Sequence, residues 1–346
     1  FVGRRALLFF CLLWVAVLPQ AVQAMEKNNY GTVSLYWEND ALAKTDSNYT
    51  NGVKLTWISP WLPWRPDGPG RAAAPWYESL AASLPFVYAP GFQTALFFAA
   101  GHNIYTPDDL DRADLIVDDR PYAGYAYLGM GFLKKGSRYM DTFEVDVGLV
   151  GRHTYAQDLQ EEVHKWLGND EPRGWANQLG DEPTLEIIYE RKWKVLETQT
   201  GGHWGFDLIP HLGGRVGNVY IYANAGAEFR FGWNRPNDYG TCPIRPGCET
   251  GRLPDDGHSA NGRFGIFFFL AADGRAILRD IFLDGNTFED SHSVKKKPFV
   301  ADLSAGLGFA LSDWKVTYAA VYRTKQFDSQ PRDEQIFGSL LISCFY

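Results

Sequence analysis

The sequence predicts an all-β fold, a twelve-stranded antiparallel transmembrane β-barrel with a short helix in an extracellular loop. Three observations carry that prediction. Long segments alternate apolar and polar residues with a period of two, the period of a strand with two unlike faces. The apolar faces are rich in Trp, Tyr and Phe, while the opposite faces mix both signs of charge. Past the N-terminus no run is apolar enough for a membrane helix, and the mean hydropathy of −0.26 excludes a helical bundle. A barrel with a polar interior needs only every second residue to be apolar.

The N-terminal segment has its own pattern. Arg4 and Arg5 precede the apolar run ALLFFCLLWVAVLP, and Val22 and Ala24 supply the small residues of a cleavage site. This reads as a secretory signal peptide over residues 1–24, leaving 25–346 as the barrel. A membrane anchor is the alternative, but the run is short for a span of about 20 residues. Without Arg4 and Arg5 the chain carries 31 basic and 41 acidic residues, and no basic patch points to nucleic acid. The expected setting is the bacterial outer membrane, with the protein as a monomer.

The clearest alternation is Val219–Trp233. Ile221, Ala223, Phe229, Phe231 and Trp233 share one face, and Asn224, Glu228 and Arg230 the other. Segments 142–152, 184–196 and 314–325 behave alike. A soluble sandwich would alternate too, with its polar face wet. The aromatic girdles and the terminal strand LLISCFY, ending on an aromatic, favour the barrel. Strands are expected near 31–39, 51–60, 91–103, 122–134, 139–152, 184–196, 204–213, 218–233, 263–279, 295–310, 313–325 and 335–346. An even count puts both termini in the periplasm, so the outer loops are 40–50, 104–121, 153–183, 214–217, 280–294 and 326–334. The connection 61–90 and the loop CPIRPGC are then periplasmic. Cys242 and Cys248 predict a small disulfide in an exported protein. Cys344 reads as a small apolar side chain of the last strand.

Parity gathers the unusual polar sequences on one rim. The first outer loop lies within ENDALAKTDSNYTNG, residues 38–52, and the second carries DDLDRADLIVDDRPYAG. In the third, Thr154 and Gln157 have capping-box spacing, Leu159, Val163 and Leu167 form an i, i+4, i+8 stripe, and Gly168 is a stop. His164 lies beside that stripe, with Gln157, Gln160 and Glu161 near its face. Asp40, Asp46, Asp118, Asp119 and Asp170 share the rim. Carboxylates with amide and main-chain oxygens suit Ca²⁺, and a His there could serve as a general base. Each feature has a plainer reading. Asn39 and Asp40 could close a strand with an Asx turn, Thr50–Asn51–Gly52 could be a return turn, and His164 could be a surface His. Asp118, Asp119 and Arg120 could be a rim ion-pair cluster, and Asp284, Asn286 and His292 a network internal to a loop.

At these residues the sequence resembles a known family. ENDALAKTDSNYTNG, YTPDDL, DDRPYAG and VHKWLGNDEPRGWANQ look like the motifs of the outer-membrane lipid A 3′-O-deacylases, in the same order along the chain. The resemblance implies a twelve-stranded barrel that removes the 3′-linked acyloxyacyl group of lipid A with Ca²⁺, a carboxylic ester hydrolase whose partner is lipopolysaccharide. By motif it makes His164 the catalytic base, Asn39 and Asp40 oxyanion and metal groups, and Thr50 the hydroxyl of the Tyr-Thr turn. Asp170 or Glu171 would be the acidic, metal-side partner. Arg112 stands where the family has a Lys, and would meet a lipid A phosphate. The competing reading is a barrel without catalysis: structural, binding, or a small pore.

Overall fold

The computed structural model describes residues 30–40, 48–64, 76–84, 87, 90–167, 170–198, 204–244, 247–253 and 264–346. The N-terminal segment read as a signal peptide, and Asp46, lie outside them. Twelve long antiparallel strands form the wall: β1 (Thr32–Asn39), β2 (Asn48–Ile58), β4 (Gln93–Thr106), β5 (Ala123–Lys135), β6 (Tyr139–Val150), β7 (Glu182–Trp193), β9 (Trp204–Gly217), β10 (Tyr220–Trp233), β11 (Gly265–Asp280), β12 (Phe299–Leu311), β13 (Trp314–Thr324) and β14 (Glu334–Phe345). Each pairs with the next long strand, and β14 pairs with β1 from Thr32↔Phe345 to Asn39↔Gly338, which closes the barrel. Two-residue strands β3 (Leu62–Pro63) and β8 (Leu196–Glu197) lengthen the periplasmic ends of β4 and β9. The expected strands are all present, with β12 starting at Phe299 rather than near 295.

Burial is inverted relative to a water-soluble domain. On β7, Leu185 is 53% exposed and the adjacent Glu186 0%; on β10, Phe231 is 44% exposed and Arg230 0%. Leaving those apolar side chains in water while desolvating charges would be doubly unfavourable. Lipid outside and paired charges inside resolve both costs. Arg215 meets Glu186, Arg230 meets Asp207 and Asp238, Lys315 meets Asp238, and Arg275 and Arg323 share Asp302, each at 2.7 Å.

The lumen is filled from both ends. From the outer rim, helix α3 (Ile281–Asp284) drops Phe282 onto Tyr105, ring centroids 3.9 Å apart, within a core that includes Tyr125, Phe267 and Phe337. From the periplasmic end, the connection between β10 and β11 turns inward. Its described residues, 234–244 and 247–253, bond to the inner wall through Thr241–Glu228, Gly247–Glu144 and Glu249–Lys54. The expected disulfide joins Cys242 and Cys248, Cα atoms 5.6 Å apart, inside this plug. Cys344 is a half-buried free thiol on the last strand.

The other long periplasmic connection holds an element the sequence reading lacked. Helix α1 (Trp76–Ser83) packs on the outer face of the wall, with Ala81, Leu62, Val87 and Leu96 buried together and Trp76 stacked on Trp57 at 5.6 Å.

Candidate active site

The site begins where β1 and β2 end. Strand alternation turns Tyr36 and Glu38 into the lumen, so Trp37 and Asn39 face outward. Asn39 pairs with Asn51, and its Nδ2 donates to Asn51 Oδ1 at 3.2 Å; Trp37 Nε1 donates to the same oxygen at 3.0 Å. Asp40 follows at once and is buried. Between β2 and β4 the register runs Tyr49↔Tyr105, then Asn51↔Ile104, so Thr50 is the extra residue of a bulge. A bulge re-aims a side chain. Here the Thr50 hydroxyl meets that of Thr106 at 2.7 Å, on the outward face that Asn51 also occupies. Thr50–Asn51–Gly52 is therefore bulged strand rather than a return turn.

The second half of the site is helix α2 (Ala156–Leu167), lying against the outside of the wall. Ala156 packs with Ile104, Tyr122 and Trp175, and Leu159 joins them. Gly124 of β5 permits the contact: a Cβ there would lie 2.0 Å from Thr154 Oγ1 and 2.5 Å from Ala156 Cβ. His102 of β4 fastens the helix root, with its Nε2 3.1 Å from Thr154 O. The buried stripe is Ala156, Gln160 and His164, whereas Val163 is 39% exposed. The helix thus presents a partly polar edge to the protein, and the apolar stripe expected to pack inward leaves Val163 on the outside; the Leu167 side chain lies outside the described residues. The expected capping box is not made. Thr154 Oγ1 donates to Gly151 O at 2.6 Å and Gln157 Nε2 to Glu161 Oε1 at 2.8 Å.

His164 is buried, and its Nδ1 lies 2.6 Å from the Asp170 carbonyl oxygen. A carbonyl only accepts, so Nδ1 carries a proton and Nε2 is the ring nitrogen left free of that bond. One turn earlier, Gln160 Oε1 accepts from Trp175 Nε1 at 2.9 Å. This fixes the amide so that its buried Nε2, a donor, has no hydrogen-bond partner among the described residues. Gln160 was legible only as a neighbour of His164; its orientation depends on Trp175, fifteen residues away.

Both halves rest on β4. Thr106 touches Thr50 on one side and Ile104 packs under α2 on the other. Two residues apart on one strand face, they are separated by about 7 Å.

The remaining predicted residues are placed as follows. Asp170 offers His164 its main-chain oxygen, and Glu171 pairs with Lys165 at 3.4 Å, both exposed. Arg112 is exposed in the second loop, which interlocks with the third: Arg173 N–H donates to Leu110 O and Asn177 Nδ2 to Ala113 O, each at 2.9 Å. The Asp119 carboxylate closes its own loop by accepting from Asp108 N and Arg120 N at 2.8 and 2.7 Å, rather than forming a rim ion pair with Arg120. Burial pushes the Asp119 carboxyl up and the Arg120 guanidinium down from their ordinary values. His292 ties to Asp119 O at 2.7 Å and Asn286 to Gly180, so that network joins loops instead of staying within one.

Among the described residues, no three His, Cys, Asp or Glu side chains gather into a metal cage. The Asn39 and Asn51 amides and the Thr50 hydroxyl on the wall, with the carboxylate of the adjoining Asp40, are all hard oxygen donors by type. Such a set fits Ca²⁺ completed by water or substrate, and does not fit a soft metal.

A closed barrel with this outward-facing rim site can be set beside known proteins. The family model described as outer membrane protein LpxR matches residues 7–346. The chain belongs to the LpxR family. Its place is accordingly the bacterial outer membrane. Among solved structures, LpxR from Salmonella typhimurium is similar in fold, with a TM-score of 0.70 at 14% identity over 91% of this chain and 100% of that one. The β domain of the Bordetella autotransporter BrkA gives a TM-score of 0.45 at 9% identity over 92% and 99%. No curated protein matches the sequence. Within the LpxR family frame, Asn39 and Asp40 lie at the end of β1, Thr50 in the β2 bulge and His164 on the helix packed outside β4 and β5.

Proposed function

We propose that the protein is a lipid A deacylase of the outer leaflet, hydrolysing the 3′-linked acyloxyacyl ester in a Ca²⁺-dependent reaction with His164 as general base. The observation that carries this reading is a buried His whose Nδ1 is committed to a carbonyl, on a helix clasped to the lipid-facing side of the outer rim. A substrate embedded in the outer leaflet reaches that side of the wall, whereas a lumenal site would be closed to it.

In this reading, Nε2 of His164 takes a proton from water as the water oxygen attacks the ester carbonyl. The Gln160 amide and Asn39 donate to the developing oxyanion. The proton on Nε2 then passes to the departing sugar oxygen as the C–O bond breaks, releasing a free fatty acid and a hydroxyl. Ca²⁺ held by Asp40 with its neighbouring oxygens would supply Lewis-acid stabilisation of the same charge. Arg112, exposed in the second outer loop, would pair with a lipid A phosphate as a delocalised cation. Asp170 positions His164 through its main chain, which a change of its carboxylate would leave intact. Mass spectrometry of lipid A from cells expressing the wild type or His164→Ala tests the proposal. Loss of the 3′ acyl chains only with the wild type, and only with Ca²⁺, is expected. Unchanged lipid A with folded wild type and Ca²⁺ present would refute it.

A further inference from the structure

The plug reaches much further than closing a lumen requires. It leaves β10 at the periplasmic end, yet the Ile244 main-chain N–H donates at 2.7 Å to Glu38 Oε1, on the second-last residue of β1 at the outer end. Ser339 Oγ of β14 donates to the same oxygen at 2.9 Å. Glu38 faces the lumen; the next residue, Asn39, faces the membrane, and Asp40 follows. The plug tip therefore holds the inside of the wall directly behind the candidate site.

The described residues of the tip are held from several sides. Cys242 and Cys248 are joined, and Lys192 Nζ lies 3.0 and 3.2 Å from their sulfurs. Both cysteines pack with Tyr36 and Leu341, and Ile244 packs against them. Glu249 binds Lys54 of β2 and accepts from Tyr36 of β1 at 3.4 Å. Its partners on β1 and β2 belong to the hairpin that carries Asn39 outside on one strand and Thr50 and Asn51 on the other. Strand ends are where local opening is easiest. Past Asn39 the chain leaves the sheet, so a lumen-side hold at Glu38 limits how far Asn39 and Asp40 can wander.

We propose that the disulfide-stapled tip of the 234–253 segment is an internal brace for the outer site, acting through Glu38 to fix the direction of Asn39 and Asp40. The proposal rests on the hydrolase reading above for its catalytic consequence, and Glu38 and Ile244 are positioning residues in it. A periplasmic connection, oxidised in the periplasm, thereby sets the geometry of chemistry at the opposite membrane face.

The test uses the full barrel in detergent micelles with purified lipid A and Ca²⁺, and compares Glu38→Ala, Glu38→Gln and the double variant Cys242→Ser/Cys248→Ser. Deacylation kinetics and amide hydrogen exchange over residues 36–40 are both read. Glu38→Ala is expected to lower kcat about 10-fold or more with KM within about twofold, the pattern of a transition-state geometry effect, and to speed exchange at 38–40. Gln keeps the acceptor oxygen, so Glu38→Gln should stay within about threefold of wild type. The double Ser variant should fall between them. Equal losses for Gln and Ala would overturn the brace in favour of a role for the charge. Wild-type rates and exchange in both Glu38→Ala and the double Ser variant would also overturn it. Should the wild type itself not deacylate lipid A, the hydrolase reading has failed, and exchange at 38–40 alone decides the brace. If Glu38→Ala does not fold, the double Ser variant decides, with unchanged exchange counting against the proposal.

Discussion

Replacing Gly124 by alanine should disable the site while leaving the barrel folded. The new Cβ would sit 2.0 Å from Thr154 Oγ1 and 2.5 Å from Ala156 Cβ. Ordinary contacts for such pairs are about 3.3 and 3.7 Å, so the helix root must retreat by roughly 1 Å. His164 lies eight residues beyond Ala156, about 12 Å along the same helix, and moves with it. A misplacement of 1 Å can cost about 100-fold in rate, or about 2.7 kcal/mol in activation free energy. The packing penalty on stability should be smaller in effect, about 1–3 kcal/mol spread over a barrel whose ladder pairing is untouched. The assay is deacylation of purified lipid A by the refolded variant, with heat-modifiable mobility on gels as the check of folding. Gly274→Ala is the control, since its Cβ would meet only Ala225 O at 3.8 Å, and it should keep wild-type activity. Full activity in Gly124→Ala would refute the claim that α2 must lie flush on the wall.

Trp175→Phe removes the donor that orients Gln160, and is expected to lower kcat about 10-fold with little change in KM, measured by steady-state deacylation. Arg230→Met leaves Asp207 and Asp238 buried with one cation fewer, and should cost about 3–5 kcal/mol, seen as an earlier urea unfolding midpoint. Asp181 is partly buried, which opposes its charge, but hydrogen bonds from the His153 main chain and ring outweigh this and hold its carboxyl below the usual range. A depressed carboxyl stabilises above its unfolded value and loses that contribution as pH falls through the folded one. Proteolysis of the third outer loop should therefore quicken below about pH 4 and be steady above it. The wall and strand pairing should not respond.

The strands were legible because each carries its own evidence. In Tyr220–Trp233 every outward residue is apolar or small and the inward ones include Asn224, Glu228 and Arg230, so the period and the inside-out burial follow from local order alone. Parity then assigned the polar loops to one rim, and the family motifs in them marked Asn39, Asp40, Thr50 and His164. The Thr50 bulge was not legible, because a bulge is a relation between β2 and β4 and leaves no periodic trace in either. Helix α2 illustrates the limit most directly. Its periodicity proposed Leu159, Val163 and Leu167 as the packed stripe; Leu159 does pack on the wall, but a membrane makes an outward apolar Val163 cheap, and the close approach at Gly124 buries the Ala156–Gln160–His164 edge beside Leu159.

What the sequence determined by itself is the wall: the number of strands, which face meets lipid, which rim holds the motifs, and the pairing of Cys242 with Cys248. Those are short-range properties, set by two-residue alternation and six-residue spacing. Only the tertiary structure decided that the Cys242–Cys248 loop folds into the lumen and reaches Glu38, and that Trp175 orients Gln160 beside His164. Each depends on hydrogen bonds between residues far apart in the chain, and such bonds become strong only where packing has excluded water, in the lumen for Glu38 and beneath α2 for Gln160.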